Sequence, residues 1–232
     1  MLSASGTILG IDSSTGACSI ALCRGGAVLA HFREDMARGQ SERLAPMAEA
    51  GLAAAGLNFQ DLDAIAVTRG PGSFTGLRIG MAFAKGLGQA LGIPVLGVTG
   101  FDAVARAALA IDGAAGHGVA VVLESRRADL FLQIFTADGV PDGPATALPA
   151  GDIAVLLRQA AMPAPLLLAG DAADTVMAVF ADADTAIVRS PVSAPDAREV
   201  ALIGLEMGAG PDLPPPQPLY LRAPDVTAPR TA

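Results

Sequence analysis

The chain opens with three short apolar runs that are separated by tight polar turns. The runs cover residues 7–12, 18–23 and 27–32, and Ser, Thr, Gly and Arg fill the turns between them. Short apolar runs bounded by such turn residues are typical of β-strands joined in hairpins. The pattern therefore predicts a three-stranded meander at the start of the chain.

Helical and strand patterns then alternate. Apolar spacing predicts helices over 42–55, 74–91 and 102–110, with buried strands over 63–68 and 94–98. Ser41 is expected to cap the first helix, and Gly56 is expected to end it. Alternating strands and helices are typical of a largely parallel sheet that helices cover.

The second half of the chain repeats this order. Strand patterns cover 119–123, 130–135 and 166–169, and helical patterns cover 152–161 and 195–207. A proline-rich stretch at 211–218 reads as an extended connector to residues 219–221. We expect two lobes of related topology, residues 1–112 and 113–232, in an α/β fold with mixed sheets flanked by helices.

Composition narrows the classes of function. With 52% hydrophobic residues the chain has ample material for a core, while its net charge is -8 and its pI about 4.6. An acidic chain lacks the field that gathers nucleic acid, so direct RNA binding is disfavoured. The longest uncharged stretch, 86–101, is too short to span a bilayer and is interrupted by proline and glycines. No membrane segment or signal peptide is expected.

The cysteines and histidines indicate neither a disulfide nor a zinc cluster. Cys18 and Cys23 lie five apart in one predicted strand, so their side chains should point to opposite faces. This usage favours a reducing, cytoplasmic setting. His31 and His117 are too few and too far apart for a usual zinc site, and no metal is expected.

Two turns offer groups that could meet a phosphate. In the turn at 12–16, Asp12 could hold a metal through water while Ser13 and Ser14 face phosphate oxygens. The alternative is an ordinary polar turn in which Asp12 bonds its own loop. The second turn, 70–76, places the backbone of Gly72 and Ser73 at a helix start, which is either an anion site or a tight strand-to-helix turn.

The helix that follows contains a stripe of small residues. These are Gly76, Gly80, Ala84 and Gly88, spaced four apart. Glycine weakens an isolated helix by roughly 1 kcal/mol relative to alanine, so the stripe needs a packing reason. Another backbone should approach it closely, from the helix at 42–55, from the sheet or from a second subunit. Lys85, the only lysine, lies on a different face with Arg78, and residues 124–127 form a charged turn that reads as a solvated tip.

Several segments together carry a family resemblance. They are ILGIDSS at 8–14, SERLAPM at 41–47, the stretch from Arg69 to Gly80, AKGL at 84–87 and PLYLR at 218–222. These motifs resemble the TsaB family, also called YeaZ, strongly over residues 7 to about 105 and diffusely thereafter. The turn at 124–127 looks like a variant of an acidic-small-Arg-Arg turn of that family.

The resemblance implies an actin-like (ASKHA, ribonuclease H-like) two-lobed protein that forms homodimers and pairs with its paralogue TsaD. With the ATPase TsaE and ATP, that assembly places threonylcarbamoyl on adenosine 37 of tRNA. The family member itself is implied to be a non-catalytic scaffold in the cytoplasm, touching tRNA only indirectly. It is implied to hold no cofactor tightly, with ATP or ADP bound at the level of the complex.

Within that framework, the two helices at 42–55 and 74–91 are expected to face a partner. The residues predicted to form the interface are Leu44, Met47, Phe74, Leu77, Arg78 and Met81. The catalytic paralogue has a metal-binding His-x-x-x-His, whereas residues 99–104 here contain no histidine. The alternative is an ATP-dependent phosphotransferase or carbamoyltransferase of the actin-like superfamily that uses Asp12.

Overall fold

Two five-stranded mixed sheets form the framework of the protein. The structure, a computed structural model, describes residues 6–36, 38–159, 165–180, 187–208 and 216–221. The first sheet contains β1 (Thr7–Asp12), β2 (Ala17–Arg24), β3 (Ala27–Asp35), β4 (Ala64–Thr68) and β5 (Val95–Val98). The second contains β6 (Gly118–Glu124), β7 (Asp129–Phe135), β8 (Thr146–Pro149), β9 (Leu166–Ala169) and β10 (Ile187–Arg189).

The two sheets have the same topology. The first has the strand order β3-β2-β1-β4-β5 and the second the order β8-β7-β6-β9-β10. In each, the first three strands form an antiparallel meander, and the other two run parallel to the first strand. The predicted α/β fold with two related mixed sheets is therefore confirmed.

Helices cover both faces of each sheet. They are α1 (Gln40–Ala55), α2 (Phe74–Leu91), α3 (Gly100–Leu109), α4 (Ala150–Gln159), α5 (Ala173–Met177) and α6 (Ala197–Met207). The helices α1 and α2 pack side by side on one face of the first sheet and bury its apolar side chains. The helices α4 and α5 do the same for the second sheet.

The third helix of each half packs on the sheet of the other half. α6 lies across β1, β2 and β4, so closely that a Cβ at Gly10 would overlap the carbonyl oxygen of Ala197. α3 lies against β6 and β9 and buries Phe101 there. The predicted division between residues 112 and 113 separates the two sheets. Each sheet is nevertheless covered in part by a helix from the other half of the chain. The halves are thus interlocked, and turns from both meet at their junction.

Local differences from the predictions have simple causes. α1 begins at Gln40, and Gly39 in the left-handed conformation precedes it without a side-chain cap, so the prediction that Ser41 caps this helix is wrong. Gly56 ends the helix in the left-handed conformation, as predicted. α5 and β10 were not predicted because three to five residues are too few to show a period.

Cys18 and Cys23 are both free and lie in different core clusters on opposite faces of the sheet, as predicted. Residues 160–161 of the predicted fourth helix and 211–215 of the connector lie outside the described residues. Within the described ranges, no helix combines the length and the apolar composition that crossing a bilayer requires.

Candidate functional site

The turn after β1 is buried at the centre of the first lobe. Asp12, Ser13 and Ser14 expose at most 2% of their surface. The Asp12 carboxylate oxygen Oδ1 accepts from Ser14 N (3.2 Å) and from Ser14 Oγ (2.6 Å). The hydroxyl of Ser13 donates to the carbonyl oxygen of Gly76 at 2.9 Å, so it bonds to the first turn of α2.

The loop from Gly70 to Gly76 packs directly on that turn. Ser73 N donates to Ser14 O at 2.7 Å, and a Cβ at Gly72 would overlap the same oxygen. Ser73 also caps α2, because its Oγ accepts from Gly76 N at 3.3 Å. The two turns that were predicted as possible phosphate sites therefore contact each other. The hydroxyl of Ser13 and the amide of Ser73 form hydrogen bonds across this contact.

Burial sets the protonation of Asp12. It raises the pKa of the carboxyl group, while hydrogen bonds from Ser14, the neighbouring hydroxyl of Thr68 and the charge of Arg33 act in the opposite direction. Neither Asp12 Oδ2 nor Thr68 Oγ1 has a partner of proper geometry among the described residues.

The raised pKa predicts how Asp12→Asn changes stability with pH. Between the ordinary value near 3.8 and the raised value, the folded state binds more protons than the unfolded state, so its stability falls as pH rises. The asparagine side chain has no such titration and keeps an oxygen for Ser14. The free energy of unfolding of Asp12→Asn, relative to that of the wild type, should therefore increase with pH, by at most about 1.4 kcal/mol per pH unit.

Urea unfolding of both proteins from pH 4 to pH 8 measures this difference. Asp138→Asn, in an exposed turn of the second lobe, is the matched control. A difference between wild type and Asp12→Asn that stays constant over this range, or that the control reproduces, would contradict the assignment.

Most of the predicted interface residues lie inside the chain. Leu44, Met47, Leu77 and Met81 expose at most 4% of their surface. The prediction that these four side chains face a partner is therefore wrong. An apolar stripe on a helix next to a sheet packs on that sheet first, because the backbone of the sheet must be covered. Phe74, which is 53% exposed, and Arg78 remain at the surface.

The stripe of small residues on α2 has an intrachain reason. A Cβ at Gly76 would overlap the carbonyl oxygen of Ser13, and one at Gly80 would lie 2.5 Å from the hydroxyl of the same residue. Gly88 faces Val95 at the start of β5. The spacing left three possible neighbours for the stripe: the helix at 42–55, the sheet and a second subunit. In the structure the stripe contacts the first sheet and the Asp12 turn that follows β1.

The charged turn after β6 is compact as well as exposed. Ser125 Oγ donates to Asp129 O and accepts from Arg127 N at 3.2 Å, and Arg126 has a left-handed backbone with φ of 60°. Glu124 N donates to Asp171 Oδ1 at 2.8 Å. Burial raises the pKa of Asp171, and this hydrogen bond opposes the shift.

The predictions missed an aromatic cluster at the junction of the lobes. Phe74 and Tyr220 have ring centroids 5.9 Å apart, and the Arg78 guanidinium lies 3.7 Å from the Phe74 centroid. Arg78 Nε donates to the Tyr220 hydroxyl at 3.4 Å, and Leu219 N donates to Arg69 O at 2.7 Å. The i, i+4 spacing of Phe74 and Arg78 was visible in the sequence, whereas the return of Tyr220 over 142 residues was not.

Within the described part of the chain, no three His, Cys, Asp or Glu side chains converge as a metal site would require. Some of the ion pairs join the two halves. His31 on β3 and Asp196 before α6 are 3.0 Å apart, and Arg106 on α3 pairs with Glu199 and Glu206 on α6. Burial favours the neutral form of Asp196, but hydrogen bonds from His31 and Arg198 outweigh it and lower its pKa.

The chain is similar in sequence to proteins of tRNA threonylcarbamoyladenosine biosynthesis. The family profile of tRNA N6-adenosine threonylcarbamoyltransferase (TsaD) matches residues 32–139. The chain is 37% identical over 131 residues to the tRNA threonylcarbamoyladenosine biosynthesis protein TsaB of Escherichia coli K12, covering 56% of the chain and 55% of that protein. The chain thus aligns with about half the length of the curated relatives that it matches first.

The similarity to solved structures extends over nearly the whole chain. A Pseudomonas aeruginosa protein described as similar to the peptidase YeaZ is 29% identical, with a TM-score of 0.78 over 94% of this chain and 100% of that one. The Acidaminococcus fermentans (R)-2-hydroxyglutaryl-CoA dehydratase component A, at 12% identity and a TM-score of 0.51, shares the fold alone.

Proposed function

We propose that the chain is a member of the TsaB (YeaZ) family, to which it is similar in sequence and fold, and that it is a subunit of the assembly that makes threonylcarbamoyladenosine in tRNA. In this proposal it acts by binding a TsaD-related paralogue, and it forms homodimers through the same surface. The threonylcarbamoyl transfer is carried out by the partner, so this chain is a non-catalytic scaffold. The proposal also includes TsaE as the ATPase of the assembly.

One observation supports a scaffold more than any other. Ser13 and Ser14 of the Asp12 turn bond to Gly76 and Ser73 of the neighbouring loop, so the two motifs bind each other. A phosphotransferase of the alternative kind needs these groups directed at a nucleotide. Asp12, which would act on its metal or phosphate, is completely buried. The contacts thus favour a structural turn that fixes the start of α2.

The surface proposed for the partner is the outer face of α1 and α2. Because their apolar stripes cover the first sheet, their opposite faces point outward. The exposed residues at helical spacing are Glu42, Ala45, Glu49 and Ala53 on α1, with Arg78, Ala82, Lys85 and Gly86 on α2. Small residues let two helices approach closely. Within this set of exposed residues, the acidic ones lie on α1 and the basic ones on α2.

This charge distribution suits a symmetric contact. A two-fold axis brings the same patch of both protomers together, so α1 of one protomer can lie against α2 of the other. Glu42 and Glu49 would then meet Arg78 and Lys85. A paralogue of the same fold could replace one protomer, which is how a homodimer and a heterodimer can use one surface.

The proposal assigns nucleotide and tRNA to the assembled complex. The net charge of -8 gives this chain no counterion-release term for binding RNA, so basic surfaces of the partner would hold the tRNA. ATP or ADP is proposed to bind at the level of the complex, with no cofactor held tightly by this chain.

Reconstitution of the tRNA modification with and without this chain tests the proposal, with all other subunits kept at fixed concentration. We expect the yield of threonylcarbamoyladenosine to fall at least tenfold on omission and to recover when the chain is added back. An unchanged yield would remove the proposed role. ATP hydrolysis by the isolated chain that Asp12→Asn abolishes would instead support the enzymatic alternative.

A further inference from the structure

A cavity of about 250 Å³ lies at the junction of the two lobes. Its walls come from four separate parts of the chain: the loop and first turn of α2 at 71–78, the turn at 125–127, Phe131 on β7 and the returning segment 219–221. Leu219 is fixed by its hydrogen bond to Arg69 O, so the last of these walls is tied to the first lobe.

Arginine provides the charge of this cavity. Among the described residues that line it, Arg78 from the first lobe and Arg127 from the second are the charged ones. A positive lining in a protein of net charge -8 runs against the overall composition. It will attract a small anion and repel a cation, because the groups nearest to a bound molecule dominate its electrostatic energy.

The arrangement of Arg78 leaves donors for a ligand. Its Nε donates to Tyr220 and its guanidinium carbon lies 3.7 Å from the centroid of the Phe74 ring, so the side chain is held by two contacts. A guanidinium has five N–H groups, and the described residues accept a hydrogen bond only from Nε. The terminal nitrogens can therefore bind two oxygens of a carboxylate or phosphate.

Apart from Ser125, the rest of the lining is mainly apolar and aromatic. Leu77, Phe131, Leu219 and Leu221 form it together with the Phe74 and Tyr220 rings. Such walls favour a planar apolar body that can stack or pack edge-on. A cavity of about 150 Å³ is enough for benzene, so about 250 Å³ accommodates a single ring with one acidic group attached.

We propose that this cavity binds a small aromatic anion, a single planar ring that bears one phosphate or carboxylate group. The ring packs between the Phe74–Tyr220 pair and Phe131, and the acidic group binds Arg78 and Arg127. Since the two arginines belong to different lobes, the ligand would also join the lobes. The inference rests on the cavity and stands apart from the proposed role in tRNA modification.

The chain provides its own fluorescent reporter for the test. Tyr220 is the only tyrosine and there is no tryptophan, so intrinsic fluorescence comes from the wall of this cavity. Titration with phenyl phosphate should change it saturably, and calorimetry should give the same Kd. Inorganic phosphate, which lacks the ring, and benzyl alcohol, which lacks the charge, should each bind at least tenfold more weakly.

Variants separate the site from nonspecific binding. Arg127→Gln and Arg78→Gln should each weaken phenyl phosphate binding by about tenfold to a hundredfold in calorimetry. Arg158→Gln is the matched control, since Arg158 also lies over a ring, that of Phe180, but outside this cavity. Circular dichroism establishes that each variant is folded.

Any of three results would overturn the proposal. Phenyl phosphate could give no saturable change, inorganic phosphate could bind equally well, or both cavity variants could retain the wild-type Kd while folded. Loss of binding in Arg158→Gln as well would place the effect outside the cavity and would likewise reject the site.

Discussion

Replacing Gly76 with alanine is expected to destabilise the folded protein by about 3 kcal/mol, the upper end of the range for overpacking a tight contact. The new Cβ would overlap the carbonyl oxygen of Ser13, which is backbone and cannot rotate away. The first turn of α2 and the Asp12 turn would have to separate, which breaks the bond from Ser13 Oγ to Gly76 O. Urea unfolding at pH 7 measures the loss.

Gly86→Ala on the same helix is the matched control. A Cβ at Gly86 meets nothing within 4 Å, and the position is exposed. The same substitution should there stabilise the protein by up to about 1 kcal/mol, because alanine is the better helix former. Two variants with effects of the same sign and size would show that helix propensity, and not the close contact, governs Gly76.

This pair of glycines shows what spacing alone can predict. The four-residue repeat of Gly76, Gly80, Ala84 and Gly88 identified a smooth stripe, and the structure places all four in the interior. The segment that packs on the stripe could not be predicted. Ser13 of the Asp12 turn is 63 positions from Gly76 in the sequence, and periodicity carries no information over that separation. Local periodicity gives the face of a helix, whereas the identity of its neighbour is a property of the whole fold.

The repeated topology was predictable for a similar reason. Each half has a meander of short apolar runs followed by alternating helix and strand, and these patterns are local. The exchange of α3 and α6 between the sheets was not predictable. Both helices are amphipathic, and periodicity does not distinguish the sheet of one lobe from that of the other.

The error at the predicted interface has the same origin. Leu44, Met47, Leu77 and Met81 form apolar stripes that fit a partner or a sheet equally well in the sequence. In the structure these stripes lie on the sheet, and small and charged residues are left outside. A surface for a partner on these helices is therefore one of close backbone approach and charge pairing. Phe74 is the large apolar side chain of these two helices that is exposed, while Ile79, Phe83 and Leu87 are partly buried.

Ala82→Arg is expected to abolish association of the chain with itself and with the paralogue, weakening it by at least a hundredfold. Ala82 is exposed on the outer face of α2 between Arg78 and Lys85. A long side chain there would hold the partner helix away and prevent the close backbone approach that the small residues of α2 allow. Sedimentation of the isolated chain and co-purification with the paralogue measure the two contacts.

The control for this variant is Val155→Arg, which places the same side chain on an exposed position of α4 in the second lobe. It should leave both associations and the tRNA modification unchanged. Because Ala82 is at the surface, Ala82→Arg should unfold at the wild-type temperature, so loss of binding would be a property of the surface and not of stability. A folded Ala82→Arg that still forms both complexes would place the partner surface on another face of the lobe.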